Sequence, residues 1–192
     1  MPTPNPAALE FLLTRRSCPA KTLTLPAPDR AALKPILTAA TRTPDHGKLE
    51  PWRLIVLERG ALDRLSALAV SHGNAVGMDP EQIEKGRKQF ADSHLCVAVI
   101  EVRRDSPKVP LIEQTYSAGA VCLALLNAAL AAGWGANWLS GWVGHDRGFV
   151  RAALGLSENE RVAGYIHIGT ETSAPPDRPR PALDAIATWV TE

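Results

Sequence analysis

The chain has 192 residues, 45% apolar and 21% charged, enough for one core able to bury roughly 70% of its unfolded surface. Lys and Arg number 21 against 20 Asp and Glu, which excludes a global field that would draw the protein to nucleic acid or to an anionic membrane surface. Any anion site must be local, and a single domain over residues 1–192 is expected.

The opening residues, "MPTPNPAALEFLLTRR", have no apolar segment behind a basic one, so no secretory signal is expected and the protein is expected in the cytoplasm. Asn5 or Pro6 opens a short helix with Leu9, Leu12 and Leu13 on one face, ending before Pro19, so that Arg15, Arg16 and Ser17 leave it at its C-terminal end. A second helix is expected over residues 29–41, with Leu33, Ile36, Leu37 and Ala40 on its apolar face and a kink at Pro35. The stretch "ATRTPDHGKLEPWRLIV", residues 40–56, then crowds turn residues, a histidine, basic side chains and a tryptophan into one loop before a strand in "WRLIVLE".

Helix patterns follow in "ALDRLSALAVSHG" and over residues 80–90, and "HLCVAVIEV" reads as a strand covered on both faces. Residues 111–132 form a long helix that is apolar all round and must be buried, in part against a second subunit. Its apolar run falls short of the ~20 uninterrupted residues of a membrane span, because Asn127 lies within it and Gly133 and Gly135 end it. "ANWLSGW" is a short strand or loop, a helix runs from Asp146 to a stop at Gly155, and "RVAGYIHIG" is a last core strand before the proline-rich "SAPPDRPRPALD". Helices and strands intermix without strict βαβ alternation, so the class is α+β.

Several chemistries are excluded. There is no P-loop and no GxGxxG, since "GWGANW" has the wrong glycine spacing and follows a helix. His46, His72, His94, His145 and His167 show no metal-ligand spacing, so no metal is expected. Ser140 lacks the G-x-S-x-G elbow. Cys18, Cys96 and Cys122 are scattered and read as reduced thiols. What remains is "RRS" at residues 15–17, "RTPDH" at 42–46, "NWLSGW" at 137–142 and "RPR" at 178–180. Two basic clusters at opposite ends of a near-neutral chain suit a phosphate clamp if the fold unites them, because guanidinium forks match phosphate oxygens; "RPR" alone reads more readily as solvated surface.

These segments, with "KVPLIEQTYSAG" and "GYIHIGT", run in an order that resembles the nitroreductase family of FMN-dependent oxidoreductases, in its short single-domain branch. The resemblance implies a central mixed, mostly antiparallel sheet flanked by helices, and an intertwined homodimer with FMN in pockets between subunits. It assigns Arg15, Arg16 and Ser17 to the FMN phosphate and ribityl chain, and Arg42 and His46 to the flavin of the opposite subunit. Trp138, Leu139 and Ser140 would lie along the isoalloxazine ring, with Arg178 and Arg180 as a late basic pair for the phosphate. Ala128, Ala129, Leu130, Ala131, Ala132 and Gly133 match a stretch assigned to the nicotinamide nucleotide.

The chain also departs from that pattern. Pro19 stands where many relatives carry a basic residue near the flavin N1 and O2, which leaves Lys21 as the nearest candidate. Glu50 replaces a glutamine, Lys48 stands where a polar partner is common, and Leu139 replaces an arginine of similar chains. The implied activity is ping-pong hydride transfer from NADH or NADPH, through flavin N5, to a nitroaromatic, a quinone or a similar electron-poor acceptor, with no catalytic side chain. The alternatives are a flavin-binding or storage protein with little turnover, and a folded dimer whose pocket has decayed.

Overall fold

The computed structural model describes residues 3–192. In chain order the elements are α1 (Pro6–Thr14), β1 (Leu23–Thr24), α2 (Arg30–Ala40), β2 (Trp52–Leu57), α3 (Arg59–Ala75), α4 (Pro80–Ala91), β3 (Cys96–Val102), α5 (Leu111–Ala131), β4 (Gly135–Leu139), α6 (Trp142–His145), α7 (Arg147–Leu154), β5 (Glu160–Glu171) and α8 (Leu183–Ile186). Local chemistry sets the boundaries of the helices. The Asn5, Asp29, Asp79 and Asp146 side chains accept the first free N–H groups of α1, α2, α4 and α7. At its other end α7 stops at Gly155, whose φ of 67° is left-handed. The helix α2 runs unbroken through Pro35. The patterns did not disclose β1, α6 or α8, which have two, four and four residues and are too short to show a period.

β2, β3, β5 and β4 lie side by side in that order, and β1 adds to the far end of β5; every pairing is antiparallel. The fold is therefore α+β, with the antiparallel character extending through the whole sheet. All of β3 is buried, because alternate side chains point to opposite faces and both faces are covered. Cys96, Ala98, Ile100 and Val102 join Leu62, Leu65, Phe90, Phe149 and Tyr165 in one half of the core. Val97 and Val99 join Leu33, Ile36, Val121, Leu125, Ile166 and Ile168 in the other, under α2 and α5. Full burial of one such side chain is worth roughly 1.5–3 kcal/mol.

Among the described residues α5 is the one helix long and apolar enough to cross a membrane, having 21 residues. Packing, rather than a shortfall in length, sets it apart. Ala118, Val121, Cys122, Leu125, Leu126 and Ala129 are buried against the sheet. Ile112, Tyr116 and Leu123 stay exposed on a separate face, with open space over Gly119 between them.

Candidate functional site

The segment after α1 does not drift into solvent. The Cys18 N–H donates to the Ala136 carbonyl at 3.1 Å, and the Asn137 side-chain amide donates to the Cys18 carbonyl, so residues 15–18 run along the outer edge of β4. Arg15 Nη2 donates to Ser17 Oγ at 2.8 Å, and Arg16 Nη1 donates to the Asp177 carboxylate at 3.2 Å. Burial lowers the Arg15 pKa from its usual range, and the charges of Arg180 and Arg16 lower it further. Its Nε is buried without a hydrogen-bond partner among the described residues. "RRS" and the second arginine of "RPR", far apart in sequence, thus converge. Arg178 is exposed, and its backbone N–H bonds Asp177 at 2.7 Å.

Beside this cluster is a cavity of about 470 Å3 lined by Phe11, Arg15, Arg16, Leu130, Trp134 and Glu171 among others. Leu130 and Gly133 also face it, whereas Ala129 is fully buried in the core and presents no surface to a ligand. Ala128 packs on the same core, while Ala131 and Ala132 are exposed. An α-helix cannot aim consecutive side chains in one direction, and of the stretch 128–133 it is Leu130 and Gly133 that line this cavity.

Leu139 and Ser140 open onto a second cavity, of about 370 Å3, lined also by Lys21, Lys85, Lys88, Gln89, Ser93 and His167. Trp142 explains why α4 comes here. Its indole sits so close over Gly86 that a Cβ there would meet the ring at 2.5 Å, and its Nε1 donates to the Gln82 carbonyl at 2.8 Å. That clamp holds Lys85, Lys88 and Gln89 next to Ser140. In the sequence "KGRKQ" reads as a solvated helix face, and nothing local reveals that a loop 50 residues later closes over it. Gln89 Nε2 is a second buried donor without a partner among the described residues. Lys21, the nearest basic residue to Pro19, does reach this cavity.

His167 lies at the floor of that cavity, 1% exposed. Its Nδ1 is 2.8 Å from Ser93 Oγ, whose own hydrogen is directed to the Leu95 carbonyl at 3.3 Å. Ser93 Oγ therefore accepts from Nδ1–H, and Nε2 is left as an acceptor for the Cys96 thiol, 4.0 Å away. Burial lowers the His167 pKa to about 4 and raises that of the Cys96 thiol, so imidazole and thiol are both uncharged at neutral pH. Trp138 is 38% exposed and lays its indole over Gly164 of β5, where a Cβ would collide with it.

Arg42 and His46 are exposed and line neither cavity of their own chain. The loop that carries them is rigidly held. Gly47, Lys48 and Glu50 have φ of 75°, 53° and 47°, a left-handed conformation costing roughly 1–2 kcal/mol for each non-glycine residue. Asp45 Oδ1 offsets part of that cost by accepting from Leu49 N–H at 2.6 Å and Glu50 N–H at 3.3 Å. Trp52 Nε1 donates to Ser117 Oγ at 3.1 Å, and Ser117 donates in turn to the Pro44 carbonyl at 3.0 Å. No ion pair joins Lys48 to Glu50 among the described residues.

Taken together, Arg15 Nε and Gln89 Nε2 are orphaned donors in the two regions that β4 connects, one beside a guanidinium cluster and one beside lysines. That donor set fits an elongated ligand with a phosphate at one end and hydrogen-bond acceptors at the other, as FMN has. Among the described residues no group of three or more His, Cys, Asp or Glu side chains is disposed to hold a metal ion.

Comparison with known proteins identifies the family. Residues 12–170 match the model described as "Nitroreductase family". The chain is 37% identical over 163 residues to the "Putative NAD(P)H nitroreductase YdjA" of Escherichia coli (strain K12), covering 85% of this chain and 87% of that protein. Among solved structures, the nitroreductase-like family protein from Bacillus cereus superposes with a TM-score of 0.80 at 22% identity, over all of both chains. The FMN and NADPH-dependent nitroreductase NfnB from Sphigopyxis sp. strain HMH gives 0.71 at 19% identity, over 95% of this chain and 98% of that one. At such identities the two structures establish the fold.

Proposed function

The chain belongs to the nitroreductase family and is an oxidoreductase; from the geometry above we propose that it binds FMN and works as a homodimer with its 192 residues as one domain. The observation that carries this reading is the Arg15, Arg16 and Arg180 cluster. Arg15 is partly buried, crowded by two like charges and left with an orphaned Nε, which is costly unless an anion completes the site.

FMN, when bound, would supply the chemistry, a ping-pong hydride transfer from NADH or NADPH to an electron-poor acceptor such as a nitroaromatic or a quinone. The chain's own residues bind, orient and set the local field. Arg15, Arg16, Ser17 and Arg180 hold the phosphate and the neighbouring ribityl chain. The backbone of Trp138, Leu139 and Ser140 meets the polar edge of the ring system. Lys21, Lys85 and Lys88 make that end of the cavity positive, which favours a ring system gaining electron density and takes over from the basic residue that Pro19 replaces. Without an arginine at Leu139, those lysines are the cations that line this cavity.

Surface chemistry supports the dimer. The Ile112, Tyr116, Gly119 and Leu123 face of α5 and the exposed Leu9, Leu12 and Leu13 of α1 are apolar surfaces that a second copy would cover. Arg42 and His46, which are exposed and line neither of those cavities in their own chain, would then complete the partner's site. The test is the visible absorbance of the purified protein before and after anaerobic addition of NADH or NADPH. A flavin spectrum that bleaches supports the reading. A flavin that stays oxidised favours a storage role, and a colourless protein that takes up no added FMN overturns both.

A further inference from the structure

His46 stands at an exposed loop, where a free imidazole would sample several rotamers and both neutral tautomers. Here its Nδ1 lies 2.6 Å from Glu113 Oε2, in the first turn of α5. A carboxylate only accepts, so Nδ1 carries the proton of this bond and Nε2 is turned away from the helix. The acidic side chain suits that place, because the positive end of the helix dipole favours negative charge there.

One helical turn further along α5, Ser117 donates to the Pro44 carbonyl at 3.0 Å and accepts from Trp52 Nε1 at 3.1 Å, so two residues of a single helix face hold the histidine loop at Pro44, His46 and Trp52. Between His46 and Trp52 the backbone is left-handed at Gly47, Lys48 and Glu50, a strained path that persists only where the surroundings determine it. As an exposed contact, 57% and 44% accessible at the two side chains, the bond adds little to stability. What it does determine is orientation.

We infer that Glu113 is a positioning residue: it fixes the ring of His46 and its Nδ1–H tautomer so that Nε2 is the atom presented to the cofactor site of a second copy. The inference rests on the cross-subunit reading proposed above. It also ties cofactor binding to the dimer, since Ile112 and Tyr116 on the exposed face of α5 flank Glu113 in sequence.

The test compares Glu113→Ala, Glu113→Gln and His46→Ala dimers by FMN titration, together with 15N spectra of the histidine ring in flavin-free protein. Glu113→Ala should weaken FMN binding roughly tenfold, the scale of a lost charge-assisted hydrogen bond, and should add nothing to His46→Ala in the double variant. Glu113→Gln, whose amide oxygen still accepts from Nδ1–H, should lose less. In the flavin-free protein the wild type should show Nδ1–H, and Glu113→Ala should shift toward Nε2–H, a change that a merely structural role would not produce. If His46→Ala weakens FMN while both Glu113 variants bind normally, or if the tautomer does not move, the inference falls and the cross-subunit reading stands. If His46→Ala binds FMN like the wild type, the cross-subunit reading falls and takes the inference with it. Should Glu113→Ala fail to fold, Glu113→Gln and the tautomer decide.

Discussion

The Arg15 guanidinium donates to the Ser17 hydroxyl at 2.8 Å while its Nε, buried, meets no acceptor among the described residues. The side chain is aimed by one neighbour and left incomplete by the rest of the chain. Arg15→Ala should therefore weaken FMN binding by about 1.5–3 kcal/mol, the range for a charge-assisted hydrogen bond. Thermal unfolding of the flavin-free protein should hardly change, because the substitution also relieves repulsion from Arg180 and Arg16. Fluorescence titration with FMN measures the first effect, and an unchanged affinity removes Arg15 from the site.

Ser117, 7% exposed, accepts from Trp52 Nε1 and donates to the Pro44 carbonyl. Ser117→Ala leaves an indole N–H and a carbonyl without their partner, at a cost of about 1–3 kcal/mol. Chemical denaturation should report that loss. FMN affinity should fall as well, because Pro44 anchors the loop that carries His46. A variant as stable as the wild type would mean that water or a side-chain shift replaces the relay.

The buried imidazole of His167 predicts a pH dependence of known sign. Its folded-state pKa is about 4, below the value of about 6.5 for an exposed histidine, so the unfolded chain binds the proton more readily. Stability is whole above pH 6.5 and declines as the pH falls from about 6.5 toward 4, by on the order of 2–3 kcal/mol. In His167→Gln, which cannot titrate, that part of the acid limb should flatten in denaturant midpoints measured from pH 7.5 to 4. An unaltered slope would show that other groups cause it.

Leu123 is 46% exposed on the face of α5 that also bears Ile112 and Tyr116. Leu123→Glu places a charge where a second copy is proposed to pack, so sedimentation should show a folded monomer with sharply reduced FMN affinity. A stable dimer that binds FMN like the wild type would move the interface to another surface.

What the sequence by itself determined were the features that depend on neighbours a few residues away. Asn5, Asp29, Asp79 and Asp146 cap helices because their carboxyl or amide oxygens lie within reach of the next N–H groups, and Gly155 ends α7 because it tolerates a left-handed φ. The unbroken apolar run of β3 announced a strand covered on both faces, and the order of "RRS", "RTPDH", "NWLSGW" and "RPR" announced the family.

Tertiary structure alone decided which of those segments meet. Arg180 joins Arg15 because β5 and the segment after it return past the end of α1. Lys85, Lys88 and Gln89 join Ser140 because Trp142 fits over Gly86. Ala129 is withdrawn from the surface by the turn of α5, and Glu113 finds His46 across 67 residues. Each is a contact between side chains far apart along the chain, specified by how two faces of one sheet are covered, and a local pattern carries no record of such distances.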